Sequence, residues 1–380
     1  MASWDIFCSV VDNYGDIGVT WRLARQLAGE QRQQVRLWVD DLAPFARLCP
    51  GADPNLAQQW QSGVDVRLWP KPWQDGEAAD VVIEAFACHL PDAYLQAMRE
   101  RPVGPLWLNL EYLSAEPWVA DCHGLPSLQS CGLQKYFYFP GFQAGTGGLL
   151  REAGLLERRR AFQADEQARR DFLASLGVAM RPGERLVSLF TYENPAIAPW
   201  LDELAAAGRP TLVLVPEGRA LGDVMRWLGV TDLAVGETHE RASLRLQVLP
   251  FVRQEDYDLL LWSCDLNAVR GEDSFVRAQW AGRPSIWHIY QQDEDIHLEK
   301  LDAFLDLYTA QMPAALKQAV ESCWGAWNAR GSMAEAWKTL DALTPQWEGH
   351  ALRWSDELGE RTDLAAGLVH FYTSWLSYAP

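Results

Sequence analysis

Short apolar runs alternate with amphipathic stretches along most of the chain, the pattern of a parallel α/β protein. In the first half, runs of strand length occupy residues 4–11, 35–39, 64–68, 79–84 and 105–110. Helical periodicity follows the first run, because Val19, Leu23 and Leu27 recur every four residues. A second helix is predicted for residues 92–100. The first half therefore predicts a Rossmann-like domain.

The second half repeats this alternation after a change of character at residues 141–165, which are rich in glycine and then charged. That segment is predicted to be a mobile connection, with its three consecutive arginines on a solvated face. New strands are predicted at residues 185–190, 211–215 and 245–249, and helices from about residue 294 onward. A chain of 380 residues exceeds one ordinary domain. The predicted domains are 1–165, completed by C-terminal helices at about 360–380 that cross back to it, and 166–359.

Residues 249–292 have the most informative order of elements in the chain. They read as strand end, helix, strand, glycine-containing turn, helix, Gly-x-Pro break and strand. This is the order of the donor half of glycosyltransferases with two Rossmann-like domains facing a cleft, where a nucleotide diphosphate meets a helix N-terminus. Backbone N–H groups near Asp273 and Ser274, the Ser274 hydroxyl and the positive charge of Arg270 are the predicted diphosphate contacts.

Aromatic side chains recur close to the predicted strand ends of the second half. Tyr192, Phe251, Tyr257 and Tyr290 are candidates for contacts with a nucleobase, and Gln254 for reading its edge. For any one of these aromatic residues taken alone, core packing is the better explanation. Their recurrence favours binding for Phe251 and Tyr290.

Two carboxylates, Glu272 and Asp273, lie beside the predicted diphosphate site. They would repel the diphosphate, so we interpret them as acceptors for sugar hydroxyls or as partners that fix Arg270. The alternative is an acidic helix N-terminus favoured by the helix dipole.

Asp12 and Asp16 flank a glycine turn after the first strand, where open α/β sheets place their ligands. Two carboxylates at this spacing form a site for a guanidinium or ammonium group. The alternative is an Asx turn together with a helix N-cap.

Composition removes several classes of function. The formal net charge of −18 argues against a nucleic-acid partner, and the absence of a long apolar run argues against a membrane span. The seven cysteines form no paired spacing and the N-terminus lacks a signal peptide, so a cytoplasmic protein with reduced thiols is expected. No histidine has metal-ligand spacing. Asp293 and Asp295 resemble a metal-binding DxD sequence, but helix capping is favoured at that position.

Three segments together resemble the bacterial protein-arginine rhamnosyltransferases that modify translation elongation factor P: residues 12–18, residues 190–193 and residues 270–275. The resemblance implies a GT-B fold, dTDP-β-L-rhamnose as donor and one arginine of elongation factor P as acceptor. It also implies inversion at the anomeric carbon with neither a metal nor a cofactor.

The same resemblance implies roles for individual residues. Asp16 corresponds to the catalytic base, Asp12 to the carboxylate that orients the acceptor, and Glu272 to an essential carboxylate. Asn13, Tyr14 and Gly15 form the acceptor loop between the two aspartates. The residues that match donor-site positions are Phe190, Tyr192, Phe251, Gln254, Tyr257, Arg270, Asp273, Ser274 and Tyr290.

Two other functions remain compatible with this fold. One is a glycosyltransferase with a small-molecule or lipid-linked acceptor, and the other is a nucleotide-sugar-binding protein without turnover. The paired acceptor-side aspartates and the lack of a basic, apolar membrane patch favour a protein arginine.

Overall fold

The computed structural model describes residues 1–11, 14–73 and 76–378. The chain forms two compact units, Met1–Ala153 together with Arg361–Pro380, and Gly154–Glu360. The first unit is thus built from two separate stretches of chain.

The first unit is built on an eight-stranded sheet in the order β3-β4-β2-β1-β5-β6-β8-β7. Its strands are β1 Ser3–Cys8, β2 Gln34–Val39, β3 Gln58–Gln61, β4 Val64–Leu68, β5 Val81–Ala85, β6 Leu106–Leu110, β7 Pro126–Leu128 and β8 Gln134–Tyr138. Four helices of its N-terminal stretch are α1 Gly15–Gly29, α2 Leu42–Leu48, α3 Asp92–Glu100 and α4 Trp118–Cys122.

The centre of this sheet is parallel, and only its two outer strands are antiparallel to their neighbours. β1 pairs in parallel with β2 on one side and with β5 on the other. The chain therefore moves outward in one direction after β1 and returns to the opposite side at β5. Such a reversal leaves a crevice at the carboxyl ends of the two strands, where ligands of open α/β sheets bind.

The second unit contains a six-stranded sheet in the order β11-β12-β10-β9-β13-β14. Its strands are β9 Arg185–Leu189, β10 Thr211–Pro216, β11 Thr238–Arg241, β12 Leu244–Leu249, β13 Leu266–Arg270 and β14 Ser285–His288. Its helices are α5 Leu155–Ala164, α6 Glu166–Ser175, α7 Ile197–Ala206, α8 Leu221–Leu228, α9 Gln254–Ser263, α10 Asp273–Ala281, α11 Ile296–Thr309, α12 Ala314–Trp327, α13 Met333–Asp341 and α14 Thr344–Gly359, with a 3-10 turn at Asp293–Asp295. Here the reversal lies between β9 and β13, which pair in parallel.

Tryptophan side chains fill much of the helical layer of the second unit. Trp200 meets Trp327 and Trp337 edge-on, with ring centroids 5.1 and 5.6 Å apart. All three side chains are fully buried. Large rings packed edge to face stabilise a core beyond the area they bury, by about 0.5–1.5 kcal/mol per pair. The many tryptophans of the sequence are thus largely structural in this layer.

The predicted mobile connection is wrong for residues 155–164, which form helix α5. Arg159 on this helix is fully buried, and its guanidinium donates to the Trp280 carbonyl at 3.2 Å and to Ser355 Oγ at 2.6 Å. A solvated face is therefore also wrong for Arg159. Because α5 packs on α9 and α10, residues 154–165 lie in the second unit and not in the first as predicted.

The last helix, α15 Leu364–Tyr378, belongs to the first unit, as the predicted return of the C-terminus required. The Phe371 ring lies 5.7 Å from the rings of both Tyr136 and Tyr138, and Tyr372 meets Trp4 at 5.8 Å. Several C-terminal helices were predicted to return to the first unit, whereas α15 is the single helix within residues 361–378. Across the described ranges, no helix is long and apolar enough to cross a membrane.

Leucine truncations on α15 test whether this helix is integral to the first unit. Leu368 is fully buried, whereas Leu376 on the same helix is 45% exposed. We expect Leu368→Ala to lower the free energy of unfolding by about 2–5 kcal/mol through lost burial and a cavity. Leu376→Ala should change it by no more than about 0.5 kcal/mol. Chemical denaturation of both variants gives the comparison, and equal effects would contradict the packing described.

Candidate active site

The first group of predicted site residues lies at the carboxyl edge of the first sheet, beside the reversal between β1 and β5. The segment after β1 leads directly into α1, whose first turn contains Asp16. This side chain is buried, with 4% of its surface exposed. Asp12 and Asn13 lie outside the described residues.

The Asp16 carboxylate is held by the backbone of the segment that precedes it. Its Oδ2 accepts a hydrogen bond from the Val11 N–H at 2.9 Å. The N-cap position of α1 is occupied by Tyr14, which makes no side-chain capping bond. The N-cap alternative is therefore wrong for Asp16. The carboxylate instead binds the Val11 backbone and is fixed at the sheet edge.

Other groups around this edge were not predicted from the sequence. After β5, Phe86 and Ala87 both adopt left-handed backbone conformations, with φ of 57° and 55°. The Phe86 ring stacks on Tyr112, with centroids 4.7 Å apart, and Tyr112 is 39% exposed. Non-glycine residues in this conformation are uncommon and concentrate at functional sites. Sequence patterns contain no signal for this backbone strain.

The second group of predicted residues gathers at the reversal between β9 and β13. The guanidinium carbon of Arg270, at the end of β13, lies 4.8 Å from the Phe190 ring centroid and 4.6 Å from that of Tyr192. Both rings follow the end of β9. A guanidinium over aromatic faces is stabilised by the negative charge density of those faces. The structure thus places a permanent positive charge between two aromatic side chains at the ligand edge of the sheet.

The turn from β13 into α10 is fastened by Ser274. Its hydroxyl accepts from the Arg270 N–H at 3.1 Å and donates to the Arg270 carbonyl. The Ser274 hydroxyl was predicted to donate to a diphosphate, but here it donates to the Arg270 carbonyl within the turn. Glu272 takes the N-cap position without a side-chain capping bond, and Asp273 begins the helix. Both carboxylates therefore lie at the helix N-terminus, where the dipole favours them.

Tyr257 connects α9 to this cluster. Its ring meets the Phe190 ring edge-on at 5.7 Å, and burial raises the pKa of its hydroxyl well above the ordinary range. Gln254 begins the same helix and is buried, and the Phe251 N–H donates to Glu217 Oε2 at 3.1 Å. These residues follow the carboxyl end of β12, two strands away from β9. They lie along the same edge as Arg270.

Tyr290 and two residues missed by sequence reasoning surround Tyr192. The Tyr290 ring is 5.7 Å and the His288 ring 5.5 Å from the Tyr192 ring, and Tyr290 is 49% exposed. Arg219, after β10, also has its guanidinium 5.7 Å from this ring. Each of these residues ends or follows a strand, so a search of every strand end would have found Arg219 and His288.

The predicted helix capping is wrong for Asp295. Asp295 occupies the N-cap position of α11 but makes no side-chain capping bond, and its φ is 59°. A left-handed residue at this position carries the chain from the 3-10 turn into the helix. Within residues 1–11, 14–73 and 76–378, no group of three or more His, Cys, Asp or Glu side chains is arranged to hold a metal ion.

Comparison with known proteins gives consistent matches over nearly the whole chain. The family model described as Elongation-Factor P (EF-P) rhamnosyltransferase EarP matches residues 4–373. A protein-arginine rhamnosyltransferase of Pseudomonas aeruginosa is 65% identical over 376 residues, covering 99% of this chain and 100% of the relative.

Solved structures agree with these matches. A structure described as the structural basis for EarP-mediated arginine glycosylation of translation elongation factor EF-P has a TM-score of 0.73 and 43% identity, covering 98% of this chain and 99% of the other. An α-glucosyltransferase in complex with UDP and a 13-mer DNA has a TM-score of 0.53 at 8% identity, with the same coverage. At that identity the second likeness shows a shared fold alone.

The chain has two Rossmann-like units, with Asp16 and Arg270 at the points where the strand order of each sheet reverses. This arrangement defines a glycosyltransferase of the GT-B type. More narrowly, the chain belongs to the EarP family of elongation factor P rhamnosyltransferases. The family expected from the three sequence segments is thereby confirmed.

His288 provides a pH test of the second cluster. Burial, followed by the nearby His297 and Arg270, lowers the pKa of His288 to about 4. The unfolded chain, with an ordinary histidine pKa near 6.5, takes up this proton more readily than the folded one. Stability should therefore fall as the pH drops below about 6.5, by about 2 kcal/mol between pH 7 and pH 5.

His288→Gln cannot take up this proton, so it should lose less stability on acidification than the unaltered protein. Chemical denaturation of both proteins at pH 7 and pH 5 measures the difference. Identical losses in the two proteins would show that His288 is not held neutral by its surroundings.

Proposed function

We propose that the protein transfers L-rhamnose from dTDP-β-L-rhamnose to an arginine side chain of translation elongation factor P, inverting the anomeric centre without a metal. The observation that carries this proposal is the position of Arg270 over Phe190 and Tyr192, beside the N-terminus of α10. Such a cluster suits a nucleotide diphosphate. The relatives named as protein-arginine rhamnosyltransferases indicate the sugar and the acceptor.

The second unit would bind the donor. The N-terminal N–H groups of α10 and the Arg270 guanidinium would stabilise negative charge on the departing diphosphate, which is the task a metal performs in other transferases. The Phe190 ring contacts that of Tyr257, and the Tyr192 ring lies against Arg270. These three rings would offer apolar surfaces to the base and sugar. Glu272 would accept hydrogen bonds from the sugar.

The first unit would bind the acceptor. An arginine guanidinium has a pKa above about 12 and delocalised lone pairs, so it is a poor nucleophile. Asp16, with Asp12, would hold it against the anomeric carbon and accept a proton as the C–N bond forms. Orientation contributes more than basicity here, because a carboxylate is a weak base beside a guanidinium. The transition state would resemble an oxocarbenium ion. The reaction would take place in the cytoplasm, where translation factors work.

The decisive test is intact mass spectrometry of elongation factor P after incubation with this protein and dTDP-rhamnose. The proposal expects a single deoxyhexose increment on one arginine. An unmodified factor with turnover on a small-molecule or lipid-linked acceptor would favour the alternative transferase. Donor binding with no turnover on any acceptor would favour a nucleotide-sugar-binding protein.

Replacing Asp16 by asparagine should abolish transfer but leave donor affinity nearly unchanged. The amide oxygen can still accept from the Val11 N–H, as the carboxylate does at 2.9 Å, so this bond should persist. The lost charge removes the proton acceptor and one partner of the guanidinium. Calorimetry with dTDP and a transfer assay separate the two effects. Loss of dTDP binding would instead make Asp16 a structural or donor-side residue.

Chelation should have no effect on turnover. If Arg270 and the N-terminus of α10 neutralise the leaving diphosphate, the reaction rate in excess EDTA should equal the rate without it. The control is the same assay with added magnesium or manganese. A loss of activity with EDTA that either ion restores would contradict the proposal and bring Asp293 and Asp295 back as candidate ligands.

The acceptor should be arginine and not lysine. Paired carboxylates can grip a planar guanidinium from two sides, whereas an ammonium is a point charge whose nitrogen lies elsewhere relative to the sugar. An elongation factor P variant with lysine at the target position should therefore remain unmodified in the mass-spectrometric assay. Rhamnosylation of that lysine at a comparable rate would show that the site does not select guanidinium geometry.

A further inference from the structure

Two buried asparagines tie the predicted donor loops to one helix end. Asn194 follows Tyr192 by two residues, and Asn328 is the C-cap residue of α12. Their exposed fractions are 3% and 5%. Burying an amide is unfavourable unless its donors and acceptors are paired, so the partners of these side chains indicate what they hold in place.

Asn328 holds the end of β14 on both sides of His288. Its Nδ2 donates to the Trp287 carbonyl at 2.8 Å, and its Oδ1 accepts from the Ile289 N–H at 3.2 Å. The same Nδ2 also donates to the Trp324 carbonyl at 2.9 Å. One side chain thus fixes the backbone immediately before Tyr290.

Asn194 holds the loop after β9 to the same helix end. Its Nδ2 donates to the carbonyl of Trp327, the last residue of α12, at 2.9 Å. Its Oδ1 accepts from the Ala196 N–H at 2.9 Å, and its own N–H donates to Asp223 Oδ2 at 2.8 Å. The final carbonyls of a helix lack partners within the helix. Here the Asn194 amide supplies the partner of the Trp327 carbonyl, and the Asn328 amide is a further donor to the Trp324 carbonyl, while each amide oxygen accepts a backbone N–H.

We infer that Asn194 and Asn328, together called the asparagine brace, are positioning residues. They hold the Tyr192 and Tyr290 rings in the positions that bind the nucleotide-sugar. The two tyrosine rings are 5.7 Å apart, yet they follow different strands, β9 and β14, with β13 between them. Their loops share the end of α12 as a common anchor. This inference rests on the proposed donor site and adds residues that touch neither the base nor the sugar.

The test compares neutral, nearly isosteric replacements. Asn194→Leu and Asn328→Leu remove the brace without adding charge near a diphosphate. The matched control is Gln247→Met on β12 of the same unit, where Gln247 is 3% exposed and its Nε2 donates to the Gly177 carbonyl at 2.9 Å. All three variants lose a buried amide-to-carbonyl bond, so all should be less stable to heat.

Only the brace variants should bind the donor less well. We expect the Kd for dTDP and the KM for the donor to rise about fivefold or more. At saturating donor, kcat should stay within about twofold, because the reacting groups are intact. Gln247→Met should show the loss of stability without the change in affinity. Should the leucine variants fail to fold, the milder Asn194→Ser, which still loses the bond to Trp327, is measured against Gln247→Met.

Two results overturn the inference. One is an equal rise in Kd for Gln247→Met and the brace variants, and the other is an unchanged Kd in brace variants with lowered melting temperatures. Failure of the proposed function is distinguishable, because it is seen in the unaltered protein, which then either does not bind dTDP or does not rhamnosylate elongation factor P.

Discussion

The arrangement of this protein depends on one topological constraint. Two adjacent parallel strands can lead into connections that leave in opposite directions. Those connections then cannot cover the carboxyl ends of the two strands. β1 and β5 meet this condition in the first unit, and β9 and β13 in the second. Asp16 and Arg270, the residues we propose for the acceptor and donor sites, both lie there. The same geometry that keeps each sheet parallel therefore leaves an uncovered edge lined by helix N-termini.

Electrostatics at the second edge follow from how Arg270 is held. A guanidinium is planar and weakly hydrated, so it can lie over the Phe190 and Tyr192 rings at a small desolvation cost. A lysine ammonium in this place would remain strongly hydrated. His288 sits against the same tyrosine, and its lowered pKa keeps it neutral near physiological pH. The positive charge around Tyr192 is thereby carried by Arg219 and Arg270.

Hydrophobic periodicity predicted the central elements of both sheets well, for a physical reason. Parallel strands such as β1 and β9 are buried on both faces and appear as continuous apolar runs. The outer strands β3 and β11 were missed, since they have four residues each and are largely polar. The run of arginines at 158–160 suggested solvent, but burial of Arg159 depends on Ser355, which is distant in sequence.

The same distinction applies to the site. Phe190, Tyr192 and Arg270 were identifiable because they belong to recognisable segments at strand ends. The asparagine brace was not, because Asn194 bonds to Trp327, 133 residues away, and Asn328 bonds to Trp287, 41 residues away. Individually, each asparagine has the appearance of an ordinary loop or cap residue. Local pattern thus indicates candidate ligand sites, and tertiary structure alone shows which residues hold the loops around them.

The return of α15 to the first unit also determines the order in which the protein can be completed on the ribosome. Residues 154–360 are continuous and can fold as soon as they have emerged. The first unit, although its strands are synthesised earlier, lacks the helix that covers Trp4 and Tyr138 until residues 361–378 follow. The nascent first unit consequently has an exposed aromatic surface throughout synthesis of the second unit. The unit whose strands are translated earlier is therefore the later one to reach its native structure.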